Sequence, residues 1–496
     1  MIRRTLRRLL LLSRRTMPAW LVVSTTLTAA AIVARSVAAQ PPASQPATAS
    51  QRLTDEGKAA IDKGDFQTAI ERTSEALRQN PQDDLAYYYR GSARIELGLA
   101  QGNADLVRTG IADAREAITR GGRTHKTYYL PYLYGMTALA ALEDRREHAE
   151  TALQVADQTL AVAGLSQEDR GTLLYQRGRV HGYLGDHDKA ARDFTQSIQA
   201  APKLMASHLE LAGAYAAAGQ DQQVLDTYRN ALQVFGEDAY VYNDRGMYYR
   251  SQGKAAEAVA DFTRAFERNS NFQQALINRG MTLLENGQPA AAESDFTAYA
   301  RLAPGQPMAH GMLGASQMAQ GKLDPAIASY RRALEINPRG PEARADLGFA
   351  RFFQKDYAAA ATEFTQARTL NPQMIWLDPW LYWSLRMTGK DQEASRLFAD
   401  KLGAEADARL WPVQLLRFLS GQTEPDALLE AARRGQEQGR TDRECEAHYW
   451  IGRRLAAAGQ TQQAQAAFRQ SLASRTAHLS TYRGAQFELN EFPTQR

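Results

Sequence analysis

A period of 34 residues runs through most of this chain, and a chain so repeated buries its apolar faces by stacking one unit on the next. Steps of 34 from Gly178 land on Ala212, Gly246, Gly280, Gly314 and Gly348. Seven residues after each of these come Gly185, Gly219, Gly253, Gly287, Gly321 and Lys355, with Gly389 one step further. Small residues follow (Ala190, Val224, Ala258, Ala292, Ala326, Ala360, Ala394). Four places later stands an aromatic ring (Phe194, Tyr228, Phe262, Phe296, Tyr330, Phe364, Phe398). Units close on Pro202, Gly236, Ser270, Pro304, Pro338 and Pro372, so seven units hold one register without an insertion.

This spacing predicts a first helix (A), a tight turn and an antiparallel second helix (B). The small residues let the two backbones approach closely. Glycine at the turn takes positive φ and ends helix A. The ring on helix B fills the gap between its own helix A and the next unit, and proline stops helix B. The pattern resembles the tetratricopeptide repeat, which implies an all-α, right-handed solenoid, here of eleven or twelve units.

Regularity is not uniform. Gly57, Gly64-Asp65-Phe66, Ala69, Ala76 and Pro81 are in phase, but Gly135 and Gly178 are 43 residues apart. About seven extra residues sit near Gly102 to Thr109. Residues 51–170 are therefore expected to form longer, bent repeats, and 171–404 a regular array. Residues 405–496 are expected to hold off-register helices, a clear unit (Tyr449-Trp450-Ile451-Gly452, Gly459, Ala464, Phe468) and a capping helix from His478 to Phe492. Pro379 is expected to kink its helix.

Residues 1–40 carry seven arginines and no Lys, Asp or Glu. Uncharged Leu21–Ala34 and then Val37-Ala38-Ala39 have the layout of an export signal cleaved after Ala39, or of an uncleaved anchor, while the Arg-rich, acid-free composition also fits an organelle transit peptide. Ser13-Arg14-Arg15-Thr16-Met17 is similar to a twin-arginine motif. Residues 40–50 form an uncharged Pro/Ser/Ala/Gln linker. The expected location is the periplasm or the envelope surface, with membrane contact only through this leader. Without the leader, 52 basic residues face 55 acidic ones, which gives no electrostatic case for nucleic acid.

Catalytic patterns are missing from the sequence. Eight histidines are scattered, the closest pair, His181 and His187, being six residues apart, whereas a helical zinc pair sits three or four apart. The single cysteine, Cys445, lies between Glu444 and Glu446, where carboxylates disfavour a thiolate. Neither a nucleophile elbow nor a phosphate loop occurs. The expectation is a non-enzyme with no cofactor and no metal.

Helix A residues line the concave face in tetratricopeptide superhelices. Carried over, that pattern puts Tyr175 and Tyr183, Asn243 and Met247, Met308 and Met318, Phe349, Phe352 and Phe353, and Trp376, Trp383 and Met387 in the groove. The peptide-binding candidates are Tyr175, Asn243, Met247, Met308, Met318, Phe349, Phe352, Trp376 and Trp383. The Lys/Asn pairs of carboxylate-clamping relatives are absent, since Tyr175/Arg179, Leu209/Gly213 and Asn243/Met247 hold those places. The later units offer an aromatic and Met surface suited to amphipathic segments.

From Trp376 to Leu489 the chain resembles NlpI-type envelope lipoproteins. The likeness rests on Trp380-Leu381-Tyr382-Trp383, Trp411-Pro412, Phe418-Leu419-Ser420-Gly421, Tyr449-Trp450-Ile451-Gly452 and Tyr482-Arg483-Gly484-Ala485. It implies a scaffold for cell-wall hydrolases or proteases, commonly dimeric. This chain has no Cys after the leader for a lipid anchor, and it carries more repeats. The leading expectation is thus an exported protein-binding adaptor; the alternative is an assembly protein that stacks on itself or on other envelope subunits.

Overall fold

Positive φ marks the ends of the A helices. Gly185, Gly219, Gly253, Gly287, Gly321, Gly389 and Gly459 all lie between +70° and +85°, a region that side chains with a Cβ enter at a cost. At Gly321 the glycine N–H donates to the Met318 carbonyl at 3.0 Å and Lys322 N–H donates to Gln317 at 3.0 Å, which satisfies the last carbonyls of the helix. Lys355 stands in this role without being glycine, at φ +64°.

The computed structural model describes residues 48–121, 126–403, 407, 409–434, 439–476 and 479–492; the leader and most of the linker lie outside them. Among the described residues the chain forms twelve successive A/B helix pairs, a short extra helix at Ala399–Leu402 and a last helix, Ser480–Glu491, and contains no strand. They gather into two compact units that divide between Tyr248 and Tyr249.

In the first unit the extra residues of the second repeat lengthen both of its helices: Asp84–Gln101 and Ala104–Gly121 have 18 residues each. In the second unit regular pairs run to Tyr357–Leu370, after which helix lengths become uneven, from 4 residues at Ala399–Leu402 to 18 at Arg440–Ala457. Pro379 does not kink a helix. It occupies the first turn of Asp378–Met387, where its missing N–H has no partner to lose.

The ring-into-glycine packing recurs at Gly178, Gly280, Gly314, Gly348 and Gly452. A Cβ added to Gly280 would lie 2.7 Å from the ring of Phe296, one on Gly348 2.6 Å from Phe364, and one on Gly452 2.6 Å from Phe468. Overpacking of this kind typically costs 1–3 kcal/mol, and Gly280→Val is expected to lose about 2–3 kcal/mol. Urea denaturation would check this, and a loss below about 1 kcal/mol would show that the ring has room to yield. A second device joins A to B. Arg177 makes two hydrogen bonds to Asp193, at 2.8 and 2.6 Å. Arg279 repeats this with Asp295, at 3.0 and 2.6 Å.

Candidate functional site on the helix A faces

In the second unit the A helices Pro341–Phe353, Asp378–Met387 and Arg440–Ala457 turn their aromatic residues toward one another. Trp380 is their centre, with ring centroids 4.9 Å from Phe349, 4.9 Å from Phe352, 6.0 Å from Phe353, 5.3 Å from Tyr449 and 4.8 Å from Trp450. Met318, Phe349 and Phe352 are each 1% exposed and Trp383 is 4% exposed. The sequence expectation that these four present themselves in an open groove is corrected. Places that face an open groove in a straight array meet as core here, because their helices belong to one cluster. Trp376 is half-buried, stacked on Phe349 at 5.9 Å. Met308 and Met387 remain accessible, at 50% and 44% exposed.

The chain's own last helix lies on this cluster. Phe487 stacks on Phe353, with centroids 4.8 Å apart and planes 22° apart, and reaches to 3.7 Å from where a Cβ of Gly321 would sit. Glu488 pairs with the buried guanidinium of Arg453, and Glu491 meets Lys355 at 2.6 Å. Arg453 also donates to the Tyr357 hydroxyl at 2.9 Å and lies over the rings of Phe352, Tyr357 and Trp383. Gly484 lets the helix approach, since a Cβ there would be 2.6 Å from the Tyr449 ring. Thus Arg453, Lys355 and Tyr357, which sequence reasoning did not single out, make the polar contacts. Lys355 was the one readable signal, as a lysine in a glycine's place.

In the first unit the helix A face is polar and buried. Tyr175 is fully buried, so its expected place in the groove is also corrected; it packs with Phe194 at 6.1 Å. Asn243 is buried at 8% exposed, and Met247 is half-buried. The Arg179 guanidinium lies 5.1 Å from the ring centre of Tyr134 and 5.9 Å from that of Tyr175. Its Nε is 3.8 Å from Glu210, a loose ion pair. The Tyr134 hydroxyl reaches Glu96 at 3.5 Å, and the Tyr228 hydroxyl donates to Asp244 at 2.8 Å. Burial outweighs these partners: the carboxyls of Glu96, Glu210 and Asp244 are each pushed up to about 7.

Cys445 is buried, with its Sγ 3.2 Å from the Ser471 hydroxyl. Among the described residues no three His, Cys, Asp or Glu side chains are arranged to hold a metal ion. Stacked helix pairs whose A faces carry the conspicuous side chains define a helical-repeat protein built around surfaces.

The tetratricopeptide repeat family matches residues 54–119, 175–239 and 243–307, and a second description of the repeat matches 314–355. This chain is a tetratricopeptide-repeat protein. It is similar to the Hsp70-Hsp90 organizing protein of Triticum aestivum, 24% identical over 219 residues, 44% of this chain and 34% of that one. It is also similar to the lipoprotein NlpI homolog of Haemophilus influenzae, 29% identical over 111 residues, 22% of this chain and 35% of that one. The chain spans about a third of the length of the curated relatives it matches. Among solved structures, yeast Tom70 is 14% identical, covering 75% of this chain and 88% of its own, with a TM-score of 0.37.

Proposed function

We propose that the chain is a non-enzymatic scaffold of the bacterial envelope that holds protein segments on its helix A faces. One observation carries this reading: the A face of the second unit already grips a helix, through a stacked ring and two ion pairs to side chains of separate repeats. Ring stacking and charge pairing at the rim are the contacts by which such a face would hold a foreign segment. The basic leader with its small-residue site supports export, as does the similarity to an envelope lipoprotein. Among the described residues no helix is long and apolar enough to cross a membrane. Cell-wall hydrolases or proteases are the partners the resemblance implies.

The test is site-specific photocrosslinking in cells producing the full chain. A photoreactive residue replaces Met308 or Met387, both exposed on A helices, or the exposed Glu257 on a B helix. Envelope proteins are expected to crosslink from Met308 and Met387 and not from Glu257. Equal yields from all three positions would overturn the reading. Crosslinks to the chain itself alone would replace it with self-assembly.

A further inference from the structure

The last helix is bound differently from the others. Its buried residues are Thr481, Gly484 and Ala485, all small, while Phe487, Glu488 and Leu489 are only half-buried. It holds on by side chains at its rim: Phe487 on Phe353, Glu488 on Arg453, Glu491 on Lys355. Its fit is incomplete. The helix's own Arg483 Nε is buried without a hydrogen-bond partner, and so are the Tyr449 hydroxyl under Gly484 and Nε1 of Trp383, whose ring lies under Arg453. Unbonded buried groups disfavour the closed state, and an occupant that bonds the Tyr449 hydroxyl and Trp383 Nε1 would relieve the two that stay with the surface.

Lys355 is a second, independent sign. It keeps a left-handed backbone conformation where ten other A/B turns of the chain use glycine and one, at Asp144, uses another residue, and non-glycine residues held there point to a local use for the side chain. Its ammonium pairs with Glu491 of the last helix at 2.6 Å. With Arg453 it forms two cations set to receive two acids on one helical face. Glu488 and Glu491 are three apart, the spacing that places both on that face.

We propose that helix Ser480–Glu491 is a displaceable cover, and that the surface beneath it is a docking site for a partner's amphipathic helix carrying an aromatic residue with acids one and four positions after it. The pattern is that of Phe487, Glu488 and Glu491 themselves. Phe353 and the glycine turn at Gly321 receive the ring; Arg453 and Lys355 receive the acids. The cover keeps the site closed by its high effective concentration, so a partner binds with its affinity reduced by the fraction of molecules that are open. This proposal rests on the scaffold reading and names the kind of segment taken.

The probe is a fluorescent synthetic peptide with the sequence of residues 479–492, titrated into the full chain. A double substitution in the cover, Phe487→Ala with Glu488→Gln, loosens it while leaving the surface beneath unchanged. Peptide binding is expected to tighten at least about tenfold in that variant relative to wild type. Adding Arg453→Met or Lys355→Gly to the loosened chain is expected to remove that gain. Lys355→Gly relieves the backbone, so loss of binding there cannot be ascribed to misfolding. A loosened chain that stays folded by circular dichroism yet binds no peptide overturns the proposal. So does a loosened chain that loses its fold, since the helix is then core and not cover. Amide exchange of residues 480–491 in wild type gives the independent check: exchange faster than in helix Arg440–Ala457 supports the cover, and equal protection overturns it. Crosslinking from Met308 and Met387 does not depend on the cover, so its success beside a failed peptide titration would remove this proposal and leave the scaffold reading standing.

Discussion

Trp380→Ala should destabilise the second unit by about 3–5 kcal/mol, the range for truncating a large buried ring. Trp380 touches five other rings from two other A helices, and it is 3% exposed. Nothing around it can collapse into the space without moving a helix, so the full cavity penalty applies. The expected result is a lower denaturation midpoint with loss of the near-ultraviolet aromatic signal. A residue lining an open groove would behave otherwise, costing binding with little loss of stability. A loss below about 1 kcal/mol would mean that the cluster is surface after all.

The first unit should weaken as pH rises through neutrality. Glu96, Glu210 and Asp244 ionise near 7 in the folded chain because burial disfavours their charged forms. In the unfolded chain they ionise near 4 to 4.5, the ordinary range. A group whose folded pKa is raised gives up stability between those two values as pH climbs, because the unfolded state sheds its proton first. Glu210 faces Arg179 and Asp244, Glu96 faces Arg179 and Tyr134, and Asp244 faces Tyr228. The loss is up to about 3 kcal/mol per group, reduced by whatever the structure relaxes. Thermal melts of the full chain should therefore show the transition of the first unit higher at pH 5 than at pH 8. Glu210→Gln, which is neutral at both, should flatten part of that slope and raise the melting temperature at pH 8. A profile that rises with pH, or one the substitution leaves unchanged, would show that these carboxyls are solvated.

Much of the architecture was legible in the residues. Gly280 and Phe296, 16 apart and recurring, announce a close helix crossing filled by one ring, and the structure puts a Cβ of Gly280 in collision with that ring. The arginine–aspartate link was equally readable but passed over. Arg177 and Arg279 come with Asp193 and Asp295 sixteen places on, whereas Leu211 and Leu313 come with Thr227 and Ser329. In these units the charge at one place meets its opposite at the other, while Glu363, which stands sixteen after Leu347, pairs with Arg344 at 3.1 Å instead. The cost of a lone buried ion explains the pairing.

The candidate site was legible only in part. Position within a repeat tells which helix face a side chain occupies, and Met308 and Met387 are exposed on their A helices. It does not tell what lies opposite that face, because the facing residues come from distant repeats. Phe352 and Trp383 read as groove residues by local register, and they are core because Trp450, some 70 to 100 positions later, packs against both. Likewise no local rule places Phe487 on Phe353 or Glu488 on Arg453.

The sequence alone determined the repeat, its helices, their turns and their ring-into-glycine packing, since each depends on contacts within about 34 residues that recur and reinforce one another. Only the tertiary structure decided which A faces are open, which are core and which one the last helix covers. The helices from Asp378–Met387 to Arg440–Ala457 depart in length from the regular pairs, and contacts between residues far apart in sequence, such as Trp450 on Phe352 and Trp383, are beyond what a 34-residue pattern encodes.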